Sequence, residues 1–297
     1  MRLYGTREVV AGGLSSSRTV LATCAALIAF AANSLLCRWA LGQHFIDAAS
    51  FSTVRVVAGA LTLCIILLAQ SRGAFPRLAA DWRSVAALCA YMLGFSFAYL
   101  SLHAGTGALI LFGCVQLTMF IVSLRGGEDF SMLSWSGLAI AFAGLIYLVS
   151  PGLSAPDPMG AMLMGAAGIA WGFYSLLGRS AKDPLLATTT NFVFSAPVVI
   201  AVSIAAYAQM HFSQTGLVLA IASGAIASGC GYVVWYAALR GLTGTRAAVV
   251  QLAVPVIAAI AGVAILGEQV TLRLVLASIA TLGGVAIVLA QRAAKTA

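Results

Sequence analysis

The stretch Ala247–Thr271 (AAVVQLAVPVIAAIAGVAILGEQVT) constrains the fold more than any other part of the chain. Its apolar run of about 20 residues, rising roughly 1.5 Å per residue, is long enough to cross a bilayer as one helix. Pro255 sits in its interior, where a water-soluble helix would lose about 3 kcal/mol. A membrane helix tolerates such a proline because neighbouring helices or polar groups satisfy the freed carbonyl. Thr106–Ser131 repeats the design, an apolar run closing on Gly127-Glu128 where the later one closes on Gly267-Glu268. The pattern is that of a duplicated membrane protein.

Ten such runs are legible, at roughly 18–41, 49–70, 84–102, 106–124, 132–150, 159–178, 185–208, 216–239, 247–266 and 273–291. Only 8% of the 297 residues are charged, against about 25% in a water-soluble domain. The expected fold is therefore all-α and polytopic, with ten transmembrane helices arranged as two five-helix repeats. Residues 1–17 form a tail, 18–150 the first repeat, 151–158 (PGLSAPDP) the linker, 159–291 the second repeat and 292–297 a second tail. The first span reads as an anchor, since no small-residue cleavage site follows a brief apolar core. Six cysteines lie within apolar runs without a CxxC pair, which predicts reduced, buried thiols and no zinc site.

With a cytoplasmic N-terminus, thirteen of the sixteen Lys and Arg residues fall on the inside. Arg38 and Arg273 fall outside, and Arg55 within a span. This asymmetry places both termini in the cytoplasm of a bacterial inner-membrane protein. The halves also align: Asn33–Arg38 (NSLLCR) with Tyr174–Arg179 (YSLLGR), Gly105-Thr106 with Gly244-Thr245, Gly144 with Gly284. An odd number of spans per half sends the second copy into the membrane upside down. Such inverted repeats bind substrate near the midplane between the halves and work by alternating access.

The paired five-span halves, each with Gly-Glu after its fourth span, resemble the drug/metabolite transporter superfamily, EamA type, over about residues 20 to 290. Within it the chain is similar to the YddG-like bacterial amino-acid exporters. The family's Trp-Gly in the first span of a half matches Trp171-Gly172, and its fourth-span proline matches Pro255. The first half carries Phe30–Ala32 and Val115-Gln116 at those places. The resemblance implies a secondary transporter, most simply an exporter, for amino acids or related small amphipathic metabolites, aromatic ones among them.

Buried aromatic and amide side chains are the substrate-binding candidates. Tyr91, Phe95 and Tyr99 step by four along one face of the third span. Trp171 and Tyr174 share a face of the sixth, and Tyr232 and Trp235 a stripe of the eighth with Gly224 and Ser228. Asn33, Gln116, Asn191 and Gln251 add amides, which are costly against lipid and so should point inward. Phe30 and Asn33 occupy the repeat positions of Trp171 and Tyr174; these four should face a common cavity with Tyr99 and Gln116. The competing reading of each residue is structural, since Tyr and Trp form interfacial belts and amides join helices.

Arg55 has two readings. It is either a counter-ion for a substrate carboxylate or, only about six residues (~9 Å) from the outer surface, a snorkelling side chain, and the shallow depth favours the second. All eight acids lie in loops or at span ends, so no buried carboxylate is placed to relay protons or hold sodium. His44, His103 and His211 map to the outer side. Glu128 and Glu268 end equivalent spans, where capping or salt bridges to Arg125 or Arg273 are expected. Small residues on the fifth span (Gly137, Ala141, Gly144) and the tenth (Ala277, Thr281, Gly284) fit a homodimer face or packing within one subunit.

An intramembrane enzyme would need a buried nucleophile with its base or a metal cluster, and no HExxH, GxSxG or in-span acid pair is present. A channel-like facilitator would want a more polar pore. No cofactor, metal or nucleic-acid partner is expected, only a small-molecule substrate and the lipid bilayer.

Overall fold

The computed structural model describes residues 16–71, 76–127, 130–152, 154–178, 181–242 and 244–296. Of the residues singled out above, Glu128 and Arg179 lie outside these segments, as does most of the N-terminal tail.

The described residues form helices joined by short loops. The first half comprises α1 (Ser16–Gly42), α2 (Ala48–Gln70), α3 (Trp82–Ala98), α4 (Ala104–Arg125) and α5 (Met132–Val149). The second comprises α6 (Pro158–Gly178), α7 (Pro184–Ala205), α8 (Gln214–Ile221), α9 (Gly231–Leu239), α10 (Gly244–Gln251), α11 (Ala253–Leu266) and α12 (Leu272–Thr296). Among the described residues, nine helical segments are long and apolar enough to cross a bilayer, while α3 has only 17 residues. The protein is an all-α, multi-pass membrane protein.

The acids explain many of the helix starts. Asp47, Asp81 and Asp183 accept the backbone N–H of Ser50, Arg83 and Leu186 at the starts of α2, α3 and α7. Asp157 accepts that of Gly160 at 2.6 Å in α6. Each satisfies one of the orphan donors of a helix N-terminus. Loop carboxylates are thus committed to capping, which is why they border the spans.

Two spans depart from the continuous α-helices expected from hydropathy. The stretch 247–266 breaks between α10 and α11 at Leu252. Pro255 has no N–H for the carbonyl of Gln251, four residues earlier, so the ladder stops there. The eighth span, Gln214–Leu239, is one rod whose middle, Ala222–Cys230, is π-helical. In an α-helix Ser223 and Ser228 would point about 140° apart; the i→i+5 winding of the π segment brings them to one face.

The halves pack element against element: α5 on α12, α3 on α6, α2 on α7, α4 on α6 and α11, and α1 on α9. The small-residue stripes of α5 and α12 face each other. A Cβ on Gly137 would stand 2.6 Å from the Gly284 carbonyl oxygen, and one on Gly144 2.7 Å from Thr281 Oγ1. These stripes are therefore used within the subunit. Four cysteines are buried or half-buried, but Cys24 and Cys230 are exposed on the outer helix surfaces, contrary to the expectation for all six.

Candidate functional site

Between the halves lies a narrow cavity of about 20 Å³, room for a water molecule in this conformation. Helix periodicity assembles its lining. Phe30, Asn33 and Ser34 of α1 stand at i, i+3 and i+4, and Tyr91 and Phe95 of α3 at i and i+4. Leu111 and Phe112 of α4, Trp171 of α6 and Tyr232 of α9 complete the wall. Trp171 is held close because α6 has glycine where it meets α4: a Cβ on Gly168 would lie 2.6 Å from the Leu111 carbonyl oxygen.

One side of the cavity is aromatic. The Trp171 ring lies 4.7 Å from Tyr91, 5.3 Å from Tyr232 and 5.4 Å from Tyr174, centroid to centroid. Phe30 meets Tyr232 and Trp235 edge-on at 6.1 and 5.7 Å. These are the offset and edge contacts that aromatic quadrupoles favour.

The other side is polar. Ser223 Oγ donates to Asn33 Oδ1 at 2.5 Å, and Asn33 Nδ2 donates to the Tyr91 hydroxyl at 3.4 Å. Arg55 Nη2 donates to the same hydroxyl at 3.0 Å, and Arg55 Nε to Ser228 Oγ at 3.4 Å. The π-helical segment supplies both serines of this chain. Arg55 is wholly buried, so it does not snorkel to the outer surface as its sequence depth favoured. Its guanidinium stacks over Phe95 at 4.7 Å and Tyr91 at 5.4 Å. Burial deepens because α2 leans on α7 and the π segment, where the Arg55 carbonyl abuts Gly224 so closely that no Cβ fits. Three atoms here are buried without a hydrogen bond: Arg55 Nη1, the Tyr232 hydroxyl, and Ser34 Oγ, which is near the Tyr99 hydroxyl but not bonded to it.

A second polar cluster sits at one end of the bundle. Arg38 Nε and Glu268 Oε1 are 3.3 Å apart, the one ion pair found among the described residues. Arg38 also donates to the carbonyls of Tyr99 and Leu100, both at 3.2 Å. Glu268 accepts the Ala104 N–H at 2.8 and 3.1 Å, capping α4. The cluster ties α1, the end of α3, the start of α4 and the α11–α12 turn together. Glu268 thus pairs with Arg38 and not with Arg273, which instead donates to the Ser150 carbonyl.

Of the residues chosen from sequence, Phe30, Asn33, Tyr91 and Trp171 line the cavity, as do Phe95 and Tyr232. Tyr174 and Trp235 stand one ring behind, against Trp171 and Phe30. Tyr174 is joined there by Asn191, whose amide approaches its hydroxyl at 3.4 Å. Tyr99 is buried beneath Phe95 and donates to the Ala104 carbonyl. Gln116 is buried on α4 outside the lining, and the half-buried Gln251 bonds back to Ala247 of its own helix. Ser34, Leu111 and Phe112 of the lining, and Ser223 behind it, were not singled out; serines and apolar residues in an apolar run carry no distinguishing mark.

Comparison with known proteins brings four findings. Residues 158–290 match the EamA-like transporter family. An uncharacterized protein of Pseudomonas aeruginosa is 46% identical over 280 residues, covering 94% of this chain and 97% of its own. An uncharacterized transporter of Archaeoglobus fulgidus is 27% identical over 223 residues, 70% of this chain and 76% of its own. Among solved structures, one crystal structure with 16% identity superposes with a TM-score of 0.65, covering 94% of this chain and 98% of its own.

Proposed function

Because the chain belongs to the EamA-like transporter family, we propose that it is a secondary transporter that exports amino acids and related small amphipathic metabolites across the bacterial inner membrane. The observation that carries this reading is the cavity itself. It combines an aromatic wall (Phe30, Trp171, Tyr232) with hydrogen-bonding groups (Asn33, Ser34, Tyr91) in a space between the halves. Widened as the halves move apart, this space would take an apolar side chain on the rings and a polar head on the hydroxyls and amide. Alternating access by two inverted halves would expose this space to each side in turn. The charge asymmetry of the sequence supports cytoplasmic termini.

The test is counterflow in proteoliposomes against a panel of amino acids. Trp171→Ala should weaken transport of the bulkiest substrates most, by roughly 2- to 30-fold for the loss of a stacking or cation–π contact worth about 0.5–2 kcal/mol. Leu276→Ala, on the exposed face of α12, should leave transport near wild type. If Trp171→Ala moves every substrate normally at equal expression, the ring serves packing and the binding site lies elsewhere.

A further inference from the structure

We infer that the cavity recognises the carboxylate of its substrate, with the Tyr91 hydroxyl as donor and Arg55 as the buried charge behind it. The inference rests on reading the cavity as the substrate site.

It follows from counting hydrogen bonds. A phenol oxygen has two acceptor positions and one proton to donate. The Tyr91 oxygen accepts from both Arg55 Nη2 and Asn33 Nδ2. Both acceptor positions are filled by groups that can only donate, which leaves the Tyr91 proton to be given away. With Ser223 Oγ donating to Asn33 Oδ1 at 2.5 Å, the amide presents its Nδ2 to Tyr91. Tyr91 lines the cavity, so its O–H is a fixed donor toward whatever binds there. The Tyr232 hydroxyl, buried on the same wall and bonded to nothing, supplies another donor.

The charge argues the same way. Arg55 is wholly buried, and its contacts are a serine, a tyrosine hydroxyl and two ring faces. No acid of the described residues pairs with it, and a buried arginine without an anion is costly. Its Nη1 has no partner at all. A substrate carboxylate beside Tyr91 would neutralise this charge and strengthen every bond in the chain from Ser228 to the ligand. No carboxylate lines the cavity to pair with an α-ammonium, which leaves the acid group as the one that meets a complementary charge.

The experiment uses the intact wild-type protein in detergent and four probes that share one side chain: phenylalanine, 3-phenylpropionate, phenylalaninamide and phenethylamine. Their affinities are measured by calorimetry. Phenylalanine and 3-phenylpropionate should bind within about threefold of each other. The amide and the amine should bind at least about tenfold more weakly, the scale of a lost hydrogen bond to a charged group. Tyr91→Phe should erase most of that difference while still binding the amide. An amide or amine that binds as well as the acid overturns the carboxylate assignment and leaves the transporter reading standing. If none of the four binds, the aromatic-substrate reading of the cavity falls, and this inference with it. An unchanged acid preference in Tyr91→Phe overturns the assignment of the Tyr91 hydroxyl as the donor.

Discussion

Arg38 and Arg55 lie in neighbouring helices of the same half, yet their surroundings could hardly differ more. Arg38 sits at the end of the bundle, paired with Glu268 and with two carbonyls. Arg55 is buried at the centre with no acid beside it and one nitrogen unbonded. The first arrangement is what a fold does with a charge that holds parts together: it surrounds it with acceptors. The second is unfavourable for a resting fold and makes sense if the missing acceptor arrives with the substrate. Local stability given up where a ligand must supply the balance is the usual mark of a functional site.

The sharpest way to break this comparison is to replace each arginine by methionine and read stability and transport together. Arg55→Met removes an unpaired buried charge and keeps most of the volume. Its melting temperature in detergent should hold or rise by a few degrees, while transport of carboxylate substrates falls about tenfold or more. Arg38→Met should do the reverse, lowering the melting temperature and leaving the substrate preference alone. If Arg55→Met is the strongly destabilised variant and still transports, the central arginine is structural and the contrast fails.

How far these roles were legible in the sequence follows from what each depends on. The helices and their order were readable because an apolar run of span length has few other solutions in a membrane. Phe30, Asn33, Tyr91 and Trp171 were readable because an amide or a large ring within such a run stands out, and repeat alignment paired Phe30 with Trp171. Arg55 was misjudged because depth counted along one helix ignores the neighbours that cover it, here α7 and the π-helical segment. Tyr99 shares a face with Tyr91, but two turns carry it to the very end of α3, where it caps the helix and packs under Phe95. Gln251 looked like an inward amide, but the Pro255 break leaves it on the short α10, bonded to its own backbone. Ser223 and Ser228 were illegible as partners, because their common face exists only once the helix winds as π.

A smaller effect sharpens the Arg38 side of the comparison. Glu268 does two jobs there, pairing with Arg38 and capping α4 through the Ala104 N–H. Glu268→Gln keeps an acceptor for the cap and loses only the ion pair, so it should cost about 1 kcal/mol. Glu268→Ala loses both and should cost about 2 kcal/mol. Thermal unfolding of the two variants alongside Arg38→Met gives the split. Equal losses in Gln and Ala variants would mean that the ion pair, and not the cap, carries the contribution.

The smallest effect concerns Asp47, whose carboxylate joins two loops at the bundle edge. It accepts from the Ser50 N–H at 2.8 Å, capping α2, and from the His211 N–H at 3.1 Å, reaching across to the other half. Burial alone would raise its pKa, but the bonds from Ser50 and His211 outweigh that and hold it below the usual carboxylate value. A carboxyl whose folded pKa is depressed contributes stability above its unfolded pKa, near 3.9, and loses it as pH falls through the lower folded value. Asp47→Ala should therefore cost about 1 kcal/mol at pH 6, the scale of a lost N-cap. The gap between wild type and variant should stay constant from pH 8 to about pH 5 and shrink only below pH 4. Paired melting curves over that range test it. A gap that closes instead between pH 6 and 7 would point to His211 as the titrating partner, and the carboxylate account of this edge contact would be wrong.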